Sequence, residues 1–350
     1  MIPEPKRYSV TISNKTFTFE TGKLAGQAGG AVNLQLGETV VFAAATMSAE
    51  VRQGIDFFPL TVDYEERMYA GGRIPGSFFR REGRPTEEAI LTARLTDRPL
   101  RPLFPKDLRN DVQVILYAFS TDGENPIDIL AVNAASAALM ISDIPWNGPV
   151  GAVRVGRIEG EFVLNPTYSD LEYSDLDLRI AGTRDAILMV ECGANEVTED
   201  VMVKALEFGH QSLQPLIDIQ EQMRAEIGKP KRAYTSFAVD PALKEQVYER
   251  IRQPVTDILS QPYVKTERNL ALDQLRESVV LEFAGEDETL APAVKSAFED
   301  AFRKVVRDRI LETGIRPDGR RTNEIRPIWC EVNVSPRAHG SGIFTRGETQ

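Results

Sequence analysis

The sequence predicts an α/β domain, then an all-helical domain, and then the start of a second α/β domain. Strand-like and helix-like segments alternate through roughly the first 230 residues, whereas only helical periodicity follows from about 241 to 312. Strand patterns then return, together with a motif found near the amino terminus. We place the predicted domains at residues 1–235, 236–312 and 313–350.

The first domain is predicted to contain both strands and helices. Residues 8–48 alternate in apolar character and indicate strands joined by a tight Gly-Glu turn. A short helix is predicted at 86–98, where Thr86 can cap the first turn and Pro99 and Pro102 follow the last. An alanine-rich helix is also predicted, and its small side chains indicate close packing on a sheet. The further elements are a strand at 111–119, this alanine-rich helix at 128–142, the strands "GAVRVGRI", "LDLRIAG" and "AILMVEC", and a long helix from about 198 to 227.

A short motif occurs twice in the chain, 310 residues apart, in "GQAGGAVNLQLGETV" and "PRAHGSGIFTRGETQ". The matching positions are Ala28, Gly30, Gly37, Glu38 and Thr39, and Ala338, Gly340, Gly347, Glu348 and Thr349. Both stretches also predict the same strand–turn–strand. We interpret the second stretch as the start of a second copy of the first domain, so the sequence stops at Gln350 inside a predicted strand. We therefore expect the chain to be part of a longer protein.

Composition limits the class of protein. The formal net charge is −11, and 42% apolar with 27% charged residues is typical of a globular protein. The longest apolar runs are too short to span a bilayer, and the amino terminus lacks an export-signal pattern. Two cysteines, Cys192 and Cys330, exclude a disulfide framework and are predicted to be buried. We expect a cytoplasmic protein without a membrane partner, in which any metal would be a hard cation held by carboxylates.

A basic, aromatic stretch interrupts this acidic chain. Residues 67–109 contain nine arginines and one lysine against five acids, a net charge of +5. Guanidinium groups bind phosphate oxygens in a bidentate geometry, and exposed aromatic rings stack on bases of any sequence. The residues predicted to bind single-stranded RNA are Phe78, Phe79, Arg80, Arg81, Arg84, Arg94, Arg98 and Arg101.

A structural interpretation of the same stretch is also open from the residues alone. The arginines could pair with the acids between them, and the phenylalanines could belong to the core. Two adjacent phenylalanines in an extended segment cannot both face one core, and the preceding "GGRIPGS" favours a loop. The acids in question are Glu82, Glu87, Glu88 and Asp97.

Two segments, "GGRIPGSFFRREGRP" and "ARLTDRPLRPLFP", resemble the first core domain of bacterial and organellar polynucleotide phosphorylases. Two more, "GIRPDGRRTNEIRPI" and "HGSGIFTRGETQ", resemble the opening of the second core, so the resemblance covers essentially the whole chain. It implies two RNase PH-like domains joined by a helical domain and assembled as a homotrimeric ring. Each would have a ribosomal protein S5 domain 2-like βαβ core and a second α/β subdomain. Residues 78–81 would then hold RNA at the neck of the central channel.

The resemblance also implies a reaction. Inorganic phosphate attacks the 3′-terminal phosphodiester of single-stranded RNA and releases a nucleoside 5′-diphosphate, reversibly, in mRNA turnover. Mg²⁺ is the implied cofactor, inorganic phosphate the co-substrate, and the components of an RNA-degradation complex are implied partners. The family's catalytic residues and metal ligands correspond to positions after Gln350, so we expect this chain alone to be inactive.

The corresponding positions of the first copy depart from the family pattern. Pro126, Ile127 and Asp128 replace the serines that hold phosphate, and a carboxylate repels phosphate. Asp177 keeps one metal-binding carboxylate, but Arg179 replaces the lysine, and arginine does not release its proton. We expect binding without chemistry and no metal ligand in this chain, with Asp177 and Arg179 as weak catalytic candidates. A solvated strand face is the simpler interpretation of both.

The carboxyl-terminal stretch offers further candidates for the RNA path, although "RPDGRR" could equally be a turn with solvated charges. These candidates are Arg316, Arg320, His339 and Arg346. Two rival functions are considered. The degenerate first copy favours a non-catalytic RNA-binding ring subunit of an exosome-like complex. A relative of the tRNA-trimming RNase PH is disfavoured by the helical domain and the second copy.

Overall fold

The computed structural model describes residues 4–52, 54–76, 82–261, 265–287 and 289–350. Its contacts divide the chain into two compact units, residues 1–237 and 238–350. Strands and helices form the first unit, while three long helices and one hairpin form the second. The predicted mixed α/β fold followed by a helical region is therefore confirmed.

A six-stranded sheet forms one layer of the first unit. In spatial order its strands are β1 (Lys6–Ile12), β2 (Lys15–Thr21), β3 (Gly30–Leu36), β4 (Thr39–Met47), β6 (Val112–Ser120) and β5 (Leu60–Glu66). Neighbouring strands are antiparallel except β5, which runs parallel to β6. The strands predicted within 8–48 and at 111–119 are confirmed. Strand β5 was not predicted, because acidic residues interrupt the alternation of this edge strand.

Helix α1 (Glu87–Leu100) confirms the helix predicted from residue 86 onwards. Thr86 is its cap, since the hydroxyl Oγ1 accepts a hydrogen bond from the Ala89 amide at 3.0 Å. The helix continues through Pro99 into a short 3-10 helix, Arg101–Leu103.

Helix α2 (Ile127–Ile141) lies at the centre of the first unit, and every residue from Ile129 onwards is buried. Its alanines allow a close approach to the sheet. On β3, a Cβ added to Gly30 would lie 2.1 Å from the carbonyl oxygen of Ala138. The predicted close packing of this helix on a sheet is confirmed.

A second, four-stranded antiparallel sheet completes the first unit. Its order is β10 (Ile187–Ala194), β9 (Leu176–Gly182), β7 (Gly151–Ile158) and β8 (Glu161–Leu164), accompanied by α3 (Tyr168–Leu171), α4 (Glu199–Ser212) and α5 (Gln214–Ile227). The prediction of one long helix over 198–227 is wrong. Pro215 in the first turn of α5 has no N–H to donate, so the helical hydrogen bonds are interrupted beside Leu213.

The second unit consists of helices α6 (Pro241–Ser260), α7 (Lys265–Ala284) and α8 (Ala291–Thr313) and the hairpin of β11 (Ile328–Val332) and β12 (Gly342–Arg346). The helices bury one apolar face each against a shared core, which includes Val247, Ile251, Val255, Phe298 and Val305. Within the described residues, no helix is both long and apolar enough to cross a membrane.

Both cysteines are exposed, so the prediction that they are buried is wrong. Cys192 lies on β10, which is the edge strand of its sheet. Cys330 lies on β11, in a sheet of only two strands.

Asp122 joins two loops of the first unit. Its carboxylate accepts hydrogen bonds from the amides of Glu124 and Asn125 at 2.9 and 2.8 Å and from Asn125 Nδ2 at 2.7 Å. The amide of Glu38, in the β3–β4 turn, donates to it at 3.3 Å. Burial alone would raise the pKa of Asp122, but these hydrogen bonds outweigh burial and hold the pKa well below its usual value.

This shift predicts a loss of stability in acid. The folded-state pKa of Asp122 is depressed, so its carboxylate contributes to the free energy of unfolding above the unfolded pKa, about 3.9. This contribution is lost as the pH falls towards the folded pKa. We expect Asp122→Asn to lower the free energy of unfolding at pH 7 by about 1–2 kcal/mol. Urea unfolding from pH 7 to pH 3 should show this difference shrinking. The exposed Asp56→Asn is the control, and a pH-independent difference for Asp122→Asn would contradict the prediction.

Candidate functional site

Glu82, the first described residue after the predicted RNA-binding residues 78–81, contacts Arg67 and Met68. Phe78, Phe79, Arg80 and Arg81 lie outside the described residues. Before them, the guanidinium of Arg67 donates to Glu82 Oε2 at 3.2 Å, and the amide of Met68 donates to Glu82 Oε1 at 2.8 Å. Glu82 is therefore held beside Arg67 and Met68, which follow directly after β5.

The four predicted arginines around α1 divide into two paired and two unpaired side chains. Arg101 donates to both oxygens of Asp97 at 2.7 and 2.5 Å, and Arg98 donates to Glu191 at 2.9 Å. Arg84 and Arg94 are exposed, and neither forms an ion pair within the described part of the chain. All four arginines are exposed at the surface, where ion pairs are weak. Their role towards RNA stays a prediction.

Two arginines and two aspartates meet at the amino-terminal end of α2. Arg154 on β7 donates to both carboxylate oxygens of Asp177 on β9, at 2.6 and 2.8 Å. Arg179, also on β9, donates to Asp128 in the first turn of α2 at 2.5 Å. It also lies 3.3 Å from Asp177, and Arg154 lies 3.6 Å from Asp128. We call these four residues the ion tetrad.

Burial makes the ion tetrad a structural element. The side chain of Arg154 is 4% exposed and that of Asp128 is 14% exposed. Burial alone would raise the pKa of Asp177, but the hydrogen bonds and charge of Arg154, and then the charge of Arg179, hold that pKa below its usual value. Two guanidiniums balance two carboxylates, so the group is neutral. The side chains of Asp177 and Arg179 are 32% and 22% exposed, so this strand face is partly solvated as well as paired.

The ion tetrad fills the positions at which the family resemblance places phosphate and metal. Asp128 brings its own negative charge to a helix amino terminus, which would otherwise favour an external anion. Both oxygens of Asp177 are engaged by arginine, so the carboxylate is not free to hold a cation. Within the described residues, no group of three or more His, Cys, Asp or Glu side chains is arranged to hold a metal. Arg179 keeps its proton and cannot act as a general acid.

Sequence reasoning missed Arg154. The signal was present, because Arg154 stands between two valines in the centre of the strand "GAVRVGRI", whereas Arg157 lies near its end. A buried arginine needs an acidic partner, which points to the acids of a neighbouring strand. The ring of Tyr168 also lies 6.0 Å from its guanidinium, close enough for a cation–π contact.

The candidates for the RNA path in the second unit differ in their surroundings. Arg316 donates to the carbonyl oxygens of residues 321, 322 and 324. Arg320 pairs with Asp318 at 2.8 Å and donates to the carbonyl of residue 324 at 3.0 Å. These two arginines therefore hold the turn of "RPDGRR" together. His339 and Arg346 are exposed.

Comparisons with known proteins match most of the chain. Residues 13–145 match the model of the 3′ exoribonuclease family, domain 1, and residues 148–212 match domain 2 of that family. Residues 242–321 match the model described as polyribonucleotide nucleotidyltransferase, RNA binding domain. The polyribonucleotide nucleotidyltransferases of Thermus thermophilus and Halothermothrix orenii are 51% and 49% identical to it over 100% and 99% of this chain. The chain belongs to the polyribonucleotide nucleotidyltransferase family.

This member spans about half the length of the curated relatives it matches, since it covers 50% of each of these two polyribonucleotide nucleotidyltransferases. Among solved structures, rice (Oryza sativa) Rrp46 has a similar fold, with a TM-score of 0.50 and 16% sequence identity. The match covers 61% of this chain and 96% of that one. Together with the two exoribonuclease models, it confirms the predicted RNase PH-like fold.

The predicted internal repeat of this polyribonucleotide nucleotidyltransferase chain has a structural counterpart. The hairpin β11–β12 resembles the hairpin β2–β3, and both are followed by a turn with glycine in the left-handed region. The φ angles are 61° at Gly37 and 64° at Gly347. The residue before each glycine pairs with the preceding antiparallel strand, Leu36 with Phe17 and Arg346 with Ile328. The shared turn supports the interpretation of a second copy.

Proposed function

We propose that this chain is the amino-terminal portion of a phosphate-dependent 3′→5′ exoribonuclease that degrades single-stranded RNA in mRNA turnover. An oxygen of inorganic phosphate forms a bond to the phosphorus of the last phosphodiester. The bond from that phosphorus to the 3′-oxygen of the preceding nucleotide breaks, the oxygen takes up a proton, and a nucleoside 5′-diphosphate leaves. The reverse reaction lengthens RNA from nucleoside diphosphates. Membership of the polyribonucleotide nucleotidyltransferase family supports this proposal.

The ion tetrad supports our proposal that the two copies have different roles. The first copy fills its own phosphate and metal positions with side chains, so Mg²⁺ does not fit the residues present there. We infer that this portion binds RNA and builds the ring, while the second copy holds phosphate and Mg²⁺ and performs the reaction.

We propose that the basic stretch is the part of this chain that binds RNA. Residues 67–109 carry a net charge of +5 in a chain of net charge −11, which concentrates attraction for a polyanion at one place. The described features that support it are Glu82, which is held by Arg67 and Met68, and the exposed Arg84 and Arg94. The acidic remainder would repel RNA and so favour productive binding at this loop.

Several parts of the proposal rest on the family resemblance. They are assembly as a homotrimeric ring and association with components of an RNA-degradation complex, whereas location in the cytoplasm is proposed from the small number of cysteines. The bounds of the proposed domains, 1–235, 236–312 and from 313, rest on the sequence pattern, and the RNase PH-like character of the first and third rests on the resemblance. Light scattering of the full-length protein would test the trimer directly.

A product assay tests the reaction. We expect the full-length protein to release nucleoside diphosphates from single-stranded RNA only when inorganic phosphate and Mg²⁺ are present. We expect this 350-residue chain to bind the same RNA in a gel shift and to release no diphosphate. Monophosphate products at every phosphate concentration would contradict phosphorolysis. Diphosphate release by the chain alone would contradict the role given to the ion tetrad.

The second candidate is a non-catalytic RNA-binding subunit of an exosome-like ring, which the ion tetrad also suits. It is less supported, because the relatives that are about 50% identical are polyribonucleotide nucleotidyltransferases. RNA binding without any diphosphate release by the full-length protein would favour this candidate.

A further inference from the structure

Residues 229–237, which we call the clasp, follow helix α5 and form neither helix nor strand. They lie between the ranges matched by domain 2 of the exoribonuclease family and by the RNA binding domain model. A segment in this position is ordinarily a connection that few contacts cross. The clasp instead belongs to the first unit, where it runs across the carboxyl-terminal end of α2.

Helix α2 does not supply its own carboxyl-terminal cap. The last four carbonyl groups of an α-helix have no partner within the helix, and a basic side chain or a following glycine commonly compensates for this. The last turn of α2 reads "ALMI" and contains no basic residue, and Ser142 follows it with an extended backbone. Leu139, Met140 and Ile141 are buried, so water is poorly placed to satisfy their carbonyl groups.

The clasp supplies the missing donors. The amide of Lys229 donates to the carbonyl oxygen of Ile141 at 3.0 Å. Burial lowers the pKa of Lys231 to about 8, so at pH 7 this side chain is mostly charged and has three N–H groups to donate. Its positive charge also faces the negative end of the helix dipole, where a cation is favourable. The three carbonyl oxygens that accept from Lys231 Nζ belong to Leu139, Met140 and Ser142, at 2.9, 3.2 and 2.9 Å.

Two aspartates hold the rest of the clasp. The guanidinium of Arg232 donates to Asp143 Oδ2 at 2.6 and 3.1 Å, and its amide donates to the carbonyl oxygen of Asp143 at 2.7 Å. Farther along, the hydroxyls of Tyr234 and Ser236 donate to the two carboxylate oxygens of Asp107 at 3.0 and 2.5 Å. The clasp therefore joins the end of α2 to the loop that leads into β6.

We propose that the clasp fastens the end of α2, and that its release together with the last turn of this helix is a local opening that precedes unfolding of the first unit. Helix α2 contacts β3 and β4 of the first sheet and β7 of the second, so most of it can leave only when the unit unfolds. The clasp is irregular and can detach without separating any pair of strands. Its release leaves buried carbonyl groups without donors, so the last turn of α2 loosens with it. The chain continues from the clasp into α6 at Pro241, so this opening lies where the first unit is connected to the helical one.

Hydrogen–deuterium exchange of the full-length protein at pH 7 tests the clasp without any substitution. Three clasp amides donate to carbonyl groups and should exchange roughly tenfold or more slowly than amides of an unstructured chain. They should still exchange faster than the amides of β6, which lies between two other strands of its sheet. Their exchange should also depend little on urea below the unfolding transition, because a local opening exposes little surface. The three amides are those of Lys229, Arg232 and Phe237.

The end of α2 should open together with the clasp. We expect the amides of residues 139–142 to share the exchange rate and the weak urea dependence of the clasp amides. Exchange of the clasp amides at the rate of an unstructured chain would overturn the proposal, since the segment would then be an ordinary linker. A rate and a urea dependence equal to those of β6 would also overturn it, since the clasp would then open only when the whole unit unfolds.

Two lysine variants test the role of Lys231. Lys231→Met removes the donor of three carbonyl groups, whereas Lys229→Met removes one side-chain hydrogen bond, to Ala28 at 3.2 Å, and keeps the Lys229 amide. We expect Lys231→Met to speed exchange at residues 139–142 roughly tenfold, and Lys229→Met to change it by less than about twofold. Equal effects of the two variants would overturn the role given to Lys231. These readouts do not involve RNA, so the product assay tests the proposed function separately.

Discussion

Arg154→Met is expected to destabilise the first unit by about 2 kcal/mol, because it leaves the half-buried carboxylate of Asp177, which is 32% exposed, without its main partner. Arg154 supplies both hydrogen bonds that Asp177 receives from β7, and its side chain is only 4% exposed. Arg179 still lies 3.3 Å from Asp177 and limits the loss. Urea unfolding at pH 7, followed by the fluorescence of the buried Trp146, measures the change.

A neighbouring arginine provides the matched control. Arg157 lies on the same strand and pairs with Asp175 at 2.7 Å, but their side chains are 25% and 40% exposed. Water screens this pair, so Arg157→Met should cost no more than about 1 kcal/mol. Equal losses for Arg154→Met and Arg157→Met would show that burial of the ion tetrad has no special effect on stability.

A double variant separates loss of pairing from loss of packing. Arg154→Met combined with Asp177→Leu removes both charges, leaving Asp128 paired with Arg179. Replacing a buried ion pair by apolar side chains is often neutral, so we expect the double variant to be more stable than Arg154→Met alone. Simple addition of the two single losses would contradict the view that the unpaired carboxylate is the source of the destabilisation.

The sequence predicted the elements whose pattern is local. The Thr86 cap depends only on residues within one helical turn, and the alanine-rich helix and the strand at 111–119 have unmistakable periodicity. The break between α4 and α5 was also visible as Pro215, but a proline in a first turn is compatible with helix on both sides. Strand β5 and the short helix α3 lack such a pattern and were missed.

The site could be predicted only in part. The substitution of serines by Asp128 and of lysine by Arg179 was readable, and it predicted that the first copy departs from the family pattern. The partners of these side chains were not readable. Arg154 and Asp177 are 23 residues apart and meet only because β7 and β9 are antiparallel neighbours with Gly156 opposite Asp177. Such pairings depend on sheet register, which local periodicity does not determine.

Gly30→Ala is expected to destabilise the first unit by about 3 kcal/mol or more, as an overpacking that the fold cannot relieve. The added Cβ would lie 2.1 Å from the carbonyl oxygen of Ala138 and 3.1 Å from the Cβ of Ser142. Real Cβ contacts are never so short, so β3 and α2 would have to move apart. That movement would loosen the contact between the sheet and the most deeply buried helix of the unit.

A second variant tests whether the clash with Ala138 is responsible for this loss of stability. Because the clash is with a backbone carbonyl, shortening the side chain on α2 cannot remove it. Adding Ala138→Gly to Gly30→Ala should therefore give no recovery, and a further loss of about 1 kcal/mol from the helix is expected. Gly26→Ala is the control, since its added Cβ would meet nothing within 4 Å, and its effect should stay within about 0.5 kcal/mol. Recovery of stability in the double variant would mean that the β3–α2 contact can adjust, and that this close approach does not hold the two elements in place.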